Sequence, residues 1–197
     1  ESFELSGNGG EALQMSANWI GRQVTKCSFT SPVTDPATVE EILFGKGKLY
    51  IDEASGTIGT TEKSATLLGM GLNVNTGWIA KFAADGNLYF SWAQSTKPEV
   101  LLNVTFEHNS TAVAEKDAWK AGTARLLRLK FEGNALTTAG TFSKKTLIID
   151  LAGKWESFDT LGDQNGNDIV TGTFRAGYDA TAAKFAEIKV VNETASY

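Results

Sequence analysis

A chain of 197 residues, 42% hydrophobic and 21% charged, has the composition of a folded domain and can bury roughly 70% of its unfolded surface, which excludes disordered and collagenous classes. A formal charge of −5 and a pI near 5.0 argue against tight binding to nucleic acid, which needs clustered cations to displace counterions from phosphates. A single cysteine, Cys27, allows no intrachain disulfide and makes cytosolic folding the simpler expectation; no 18-residue apolar run or signal-peptide start exists, so no membrane span is expected.

The chain opens on Glu1 instead of Met, directly ahead of a strand-like segment, and the expectation is a single domain over residues 1–197 that lacks an N-terminal portion. Twenty glycines, three prolines and short alternating runs rich in Thr, Val, Phe and Trp indicate a mostly antiparallel β protein. "TSPVTDPATVEE", residues 30–41, holds two of the prolines without apolar alternation and reads as an exposed loop. "GKGK" at Gly45 to Lys48 reads as a turn with exposed lysines. In "KLYID", Leu49 and Ile51 face one side, with Lys48, Tyr50 and Asp52 on the other.

"WIAKFAADGNLYFSWA" reads as a hairpin, with strands over Ile79 to Phe82 and Leu88 to Trp92 and a turn at Asp85-Gly86. "EVLLNVTFEH" alternates Leu102, Val104 and Phe106 against Leu101, Asn103, Thr105 and Glu107, which predicts a central strand. "NSTAVAEKDAWKAG" is the one helix candidate: Asn109 or Ser110 can cap it and Gly122 can end it. Its apolar stripe is thin, so it should lie across a sheet edge or at an interface. Strands follow in "ARLLRLKFEG", with Leu127, Leu129 and Phe131 inward and Arg128 and Lys130 on a wet face, and in "KTLIIDLAGKWESF", "DIVTGTFRAGY" and "AKFAEIKVVN". The fold class expected is mainly β: an antiparallel β-sandwich or barrel with one flanking α-helix.

Candidate chemistry is sparse. "GDQNGNDIV", Gly162 to Val170, crowds Asp163, Asn165 and Asp168 around a glycine, yet from Asp163 the glycine comes fourth and Phe174 twelfth, whereas an EF-hand loop needs Gly sixth and Glu twelfth. An Asn165-Gly166 turn is the preferred reading. His108, the only histidine, has no second His or Cys partner for zinc and no G-x-S-x-G elbow for a hydrolytic triad. Glu40-Glu41 reads as a solvated pair, "GKGK" lacks Walker spacing, and the sequons at Asn103, Asn109 and Asn192 read as composition effects. No catalytic, cofactor-binding or metal-binding residue is therefore expected. Of the five tryptophans, Trp19, Trp78, Trp92, Trp119 and Trp155, the hairpin pair Trp78 and Trp92 could stack on sugars in a carbohydrate-binding β-sandwich; burial in cores and subunit contacts is the preferred reading.

In order along the chain, "SFELSGNGGEALQMSANWIGRQV", "GKGKLYIDEASGTIG", "ATLLGMGLNVNTGWIAKF", "LNVTFEHNSTA" and "KWESFDTLGDQNGNDIVTGTFRAGYDATAAKFAEIKVVN" resemble the tail tube proteins, or major tail proteins, of long-tailed bacteriophages. That resemblance implies a β-sandwich or barrel that forms hexameric rings stacked into a hollow tube, through which DNA passes without tight binding. It implies no catalysis, no cofactor and no membrane. Expected partners are further copies of the chain and other tail proteins such as the tape measure and terminator, and the expected location is the virion tail after assembly in the host bacterial cytoplasm. The strands around Leu102 to Phe106 and Phe174 would belong to the inner sheet. The helix from Thr111 to Ala121 would lie outside or at a subunit contact.

Overall fold

Alternation in "EVLLNVTFE" builds the centre of the molecule. In the computed structural model, which describes residues 1–26, 28 and 40–193, this segment is a strand whose Leu102, Val104 and Phe106 are completely buried while Asn103 on the other face is exposed. The strands are β1 (Ser2–Asn8), β2 (Gln14–Asn18), β3 (Gly47–Glu53), β4 (Leu67–Asn75), β5 (Trp78–Lys81), β6 (Trp92–Ser95), β7 (Glu99–Glu107), β8 (Ala124–Ala135), β9 (Lys144–Phe158), β10 (Gly162–Gln164), β11 (Asn167–Ala176) and β12 (Ala186–Val191), with one α-helix, α1 (Ser110–Lys120). All pairings are antiparallel, and the main sheet runs β2-β1-β4-β7-β11-β9-β8-β3. The expected mainly β, antiparallel sandwich or barrel with one helix is what forms.

The long strand β9 joins two walls. Its second half pairs with β11 and its first half with β12, and β8 runs along its other side to Lys154. The walls β2-β1-β4-β7-β11 and β9-β8-β3 with β12 face each other over one core, where Phe106 meets Trp155 edge-on at 5.6 Å and Phe158 at 6.3 Å. Residues 42–44 close the far side: Leu13 donates to the Ile42 carbonyl at 2.7 Å and Phe44 to the Glu11 carbonyl at 2.9 Å. Gly7 fits closely there, since a Cβ would meet the Leu13 side chain and, at 2.9 Å, the Phe44 ring, and both would have to shift.

The helix begins where expected. The Asn109 side chain accepts from the N–H groups of Thr111 and Ala112, and Gly122, at φ 64°, follows its end. It covers residues 155–158 of β9, which have no β8 partner, and the Trp119 indole donates to the Glu156 carbonyl at 2.9 Å. The helix thus seals a sheet edge.

Several expectations need correction. The return strand of the hairpin is not Leu88 to Trp92: β6 starts at Trp92, and residues 82–91 form a loop in which Gly86 has φ 83° and the Asp85 side chain accepts from Asn87. Asp52 is buried instead of wet, because it binds the loop that follows β3. Nor does β8 have one wholly wet face: Leu126 is buried and Arg128 is locked to Asp150. Strand β4 is not among those expected from alternation, since glycines at 69 and 71 occupy its outward positions. The loop expected at 30–41 lies outside the described residues except for Glu40 and Glu41, as does Cys27.

Candidate functional surface

The outward faces of the two walls differ in what covers them. On the β9-β8-β3 wall, Ile148, Asp150 and Ala152 point away from the core and are nevertheless buried. Residues 54–63 and 177–185 lie over this face. Gly59 abuts the Arg128 side chain, Gly177 donates to the Ala152 carbonyl, and Ala152 donates to the Phe185 carbonyl. Ion pairs thread it: Arg128 binds Asp150 through two hydrogen bonds of 2.6 and 2.7 Å, Lys184 sits 3.6 Å from Asp150, and Lys130 pairs with Glu132.

By contrast, the opposite wall is bare. Register places Ser2, Glu4, Ser6 and Asn8 of β1 beside Asn75, Asn73, Gly71 and Gly69 of β4, and these beside Glu99, Leu101, Asn103 and Thr105 of β7. Thr171, Thr173 and Arg175 of β11 complete the face. Short amides and hydroxyls pair across it: Asn73 donates to Glu4 at 2.8 Å, Thr173 to Asn103 at 2.9 Å, and the Thr105 and Thr171 hydroxyls lie 3.2 Å apart. None of the five strands contains a lysine, and Arg175 is their only cation. Arg175 is itself held between Glu156 and Glu99, and these hydrogen bonds raise its pKa further. The face that remains is polar, shallow and slightly acidic.

A second feature leaves one end of this wall. Among the described residues, strands β5 and β6 pair only with each other, and the arm they form is tied to the body by short links at residues 76–77 and 96–98. Thr96 donates to the Gly77 carbonyl from both its amide, at 2.7 Å, and its hydroxyl, at 2.6 Å. Gly77 has φ 70°, and a Cβ there would meet Lys97 backbone at 2.8 Å. Residues 19–26, leaving β2, run beside the arm: Arg22 donates to the carbonyls of Phe90 and Ser91 and lies 5.0 Å over the Tyr89 ring. Trp19, Val24, Phe82 and Leu88 are exposed here, and Leu88 touches almost nothing.

The tryptophans therefore divide. Trp155 is buried and Trp119 packs on Phe158, which places these two at the core, while Trp19, Trp78 and Trp92 are exposed on the surface of the single chain. Register opposes Trp78 to Ser95 and Trp92 to Lys81, so the two hairpin tryptophans sit on opposite faces and do not make one stacking platform.

"GDQNGNDIV" is a two-residue hairpin joining β10 to β11, with φ 56° at Asn165 and 85° at Gly166, the type I′ turn that this dipeptide favours. Asp163 and Asp168 stand opposite each other, and Asp163 accepts from the Gly166 N–H at 3.3 Å. No group of three metal-ligating side chains occurs among the described residues. His108 is exposed at the end of β7, where its backbone N–H bonds to the Asp168 carbonyl. Exposed Asn103 belongs to the bare wall, and Glu40 binds the Asn134 N–H and Lys145. No helix among the described residues is long and apolar enough to cross a membrane. Compared with known proteins, the chain matches no protein-family profile and no curated protein.

Proposed function

We propose that this chain is a structural subunit of a bacteriophage tail tube, which assembles into hexameric rings stacked as a hollow conduit for DNA in the virion tail. The observation that carries the reading is the bare, lysine-free wall of β2-β1-β4-β7-β11 set against a second wall whose outward face is covered and ion-paired. A channel lined by amides, hydroxyls and a few carboxylates offers phosphates no cations to displace counterions, so DNA slides along it instead of sticking. A polar face lining a lumen would also need no cover of loops. Partners in this reading are copies of the chain and the tape measure and terminator proteins, met in the host bacterial cytoplasm.

Negative-stain electron microscopy of concentrated protein tests the reading: rings or tubes are expected, and a protein that stays monomeric at high concentration counts against it. The wall has its own test. Asn73→Lys and Asn103→Lys together add cations at outward positions without touching the core, so tubes should still form but should retain duplex DNA in a salt-sensitive way. A gel-shift assay on assembled particles reads this, and unchanged DNA passage would place the lumen elsewhere.

A further inference from the structure

Charge is distributed unevenly from end to end. The arm region, residues 19–26 and 78–97, holds Arg22, Lys26, Lys81 and Lys97 against the single carboxylate Asp85, a net +3, which leaves −8 on the rest of a chain whose total is −5. Strand β7 begins at this arm with Glu99 and ends at Glu107, about 26 Å away at 3.3 Å per residue. Beside Glu107 lies the β10–β11 hairpin, with Asp159, Asp163 and Asp168 around exposed Leu161. One sheet thus carries a basic, aromatic arm at one end and an acidic tip with an apolar side chain at the other.

Neither set of charges is satisfied among the described residues. Among the described residues, Lys81 and Lys97 have no carboxylate partner, and Glu107, Asp159 and Asp168 have no cationic one. Elsewhere most of the described cations are paired, as Arg125 is with Glu115, Arg128 with Asp150 and Lys145 with Glu40. Among the described residues the arm's apolar surface likewise has little cover: Phe82 and Leu88 are exposed at its tip, and Trp78 and Trp92, each 52% exposed, flank its two faces.

We propose that the arm of one copy docks on the acidic β10–β11 end of a second copy, with Lys81 and Lys97 facing Asp163, Asp168 and Glu107 and the arm's aromatic side chains packing over Leu161. This rests on the tube reading above and names the stacking contact within it. Because the donor and acceptor surfaces lie at opposite ends of one subunit, the contact is heterologous and repeats without closing, as stacking along a tube requires. Basic aromatic surfaces also suit nucleic acid and anionic lipid. A second copy is the favoured occupant, because the complementary charges are on the same molecule and the overall charge is negative.

Charge reversal tests this, with particles counted and measured by electron microscopy and folding checked by thermal melts. Lys81→Glu with Lys97→Glu, or Asp163→Lys with Asp168→Lys, should each shorten tubes about tenfold while lateral rings persist. All four substitutions in one chain should restore length. Leu88→Ser, at a side chain that touches almost nothing, should shorten tubes without moving the melting temperature. If wild-type protein forms neither rings nor tubes, the tube reading itself fails. The docking proposal is overturned if tubes form and the single reversals leave their length unchanged, or if the combined variant is not restored. It is also overturned if Lys81 and Lys97 instead bind a single-stranded oligonucleotide or phosphatidylserine vesicles with no effect on stacking.

Discussion

At Asp52, one carboxylate orders a whole loop: it accepts from the N–H groups of Gly59 at 2.7 Å, Thr60 at 3.2 Å and Thr61 at 2.8 Å, and from the Thr60 hydroxyl at 2.6 Å. Burial pushes its pKa up, but the hydrogen bonds from Thr60, Thr61 and Gly59 together outweigh it and hold the carboxyl below its ordinary value. A depressed folded pKa means stability that is present above the unfolded value of about 3.9 and is lost as pH falls through the folded one. Asp52→Asn should therefore cost about 2 kcal/mol at neutral pH, measured by urea denaturation, and the gap to wild type should narrow below about pH 4. A second buried carboxylate, Glu115, accepts from the Trp155 indole at 2.8 Å and from Arg125 at 3.1 Å. Glu115→Ala strands both donors and should cost about 3 kcal/mol, whereas Glu115→Gln keeps an acceptor for Trp155 and should cost about half as much. Neither role was legible in the sequence. Alternation puts Asp52 on the wet side of its strand and Glu115 on a helix of polar composition, and only the packing of the following loop over Asp52 and of Trp155 and Arg125 against Glu115 turns those positions inward.

At the level of elements, what alternates clearly in sequence is what the fold realises. Strands β7 and β9 and the capped helix α1 follow their apolar periods and cap residues, because each buries a contiguous row against the core. The hairpin misread has a specific cause: "NLYFSW" is as aromatic as a strand, but no sheet among the described residues buries the arm, so Leu88 points into solvent and pairing starts at Trp92. Strand β4 fails for the opposite reason, since Gly69 and Gly71 look like turn signals and in fact lie flat on the bare wall. The close packing of β9 on β11 sets a further demand, because a Cβ on Gly153 would run into the Arg175 carbonyl oxygen. Gly153→Ala should lower the melting temperature by several degrees, as about 2 kcal/mol of lost stability would, and calorimetry would show it.

For the whole molecule, the bare wall and the basic arm were not legible as units. Net charge gives only a sum of −5, and the separation of cations from the five-stranded wall appears once pairing order is known. The sheet order places residues far apart in sequence, such as Glu4, Asn73 and Thr173, on one face. The arm has one more consequence, which concerns time. A two-stranded hairpin that, among the described residues, has no sheet or helix to pack on is marginally stable in water, so in a free subunit the amides of residues 78–95 should exchange hydrogen rapidly while those of β7 and β9 stay protected. In the proposed tube, docking would have to supply the order that the free arm lacks, which would make the first contact between two free subunits weak and later additions to an end already bearing fixed arms strong. Growth from purified subunits should accordingly show a lag in light scattering that short preformed tubes abolish, and residues 78–95 should gain protection in step with the scattering signal. Subunits held dilute would wait as monomers until something presents the first ordered ring, so the point at which a tube starts would be chosen by a template and not by the subunit.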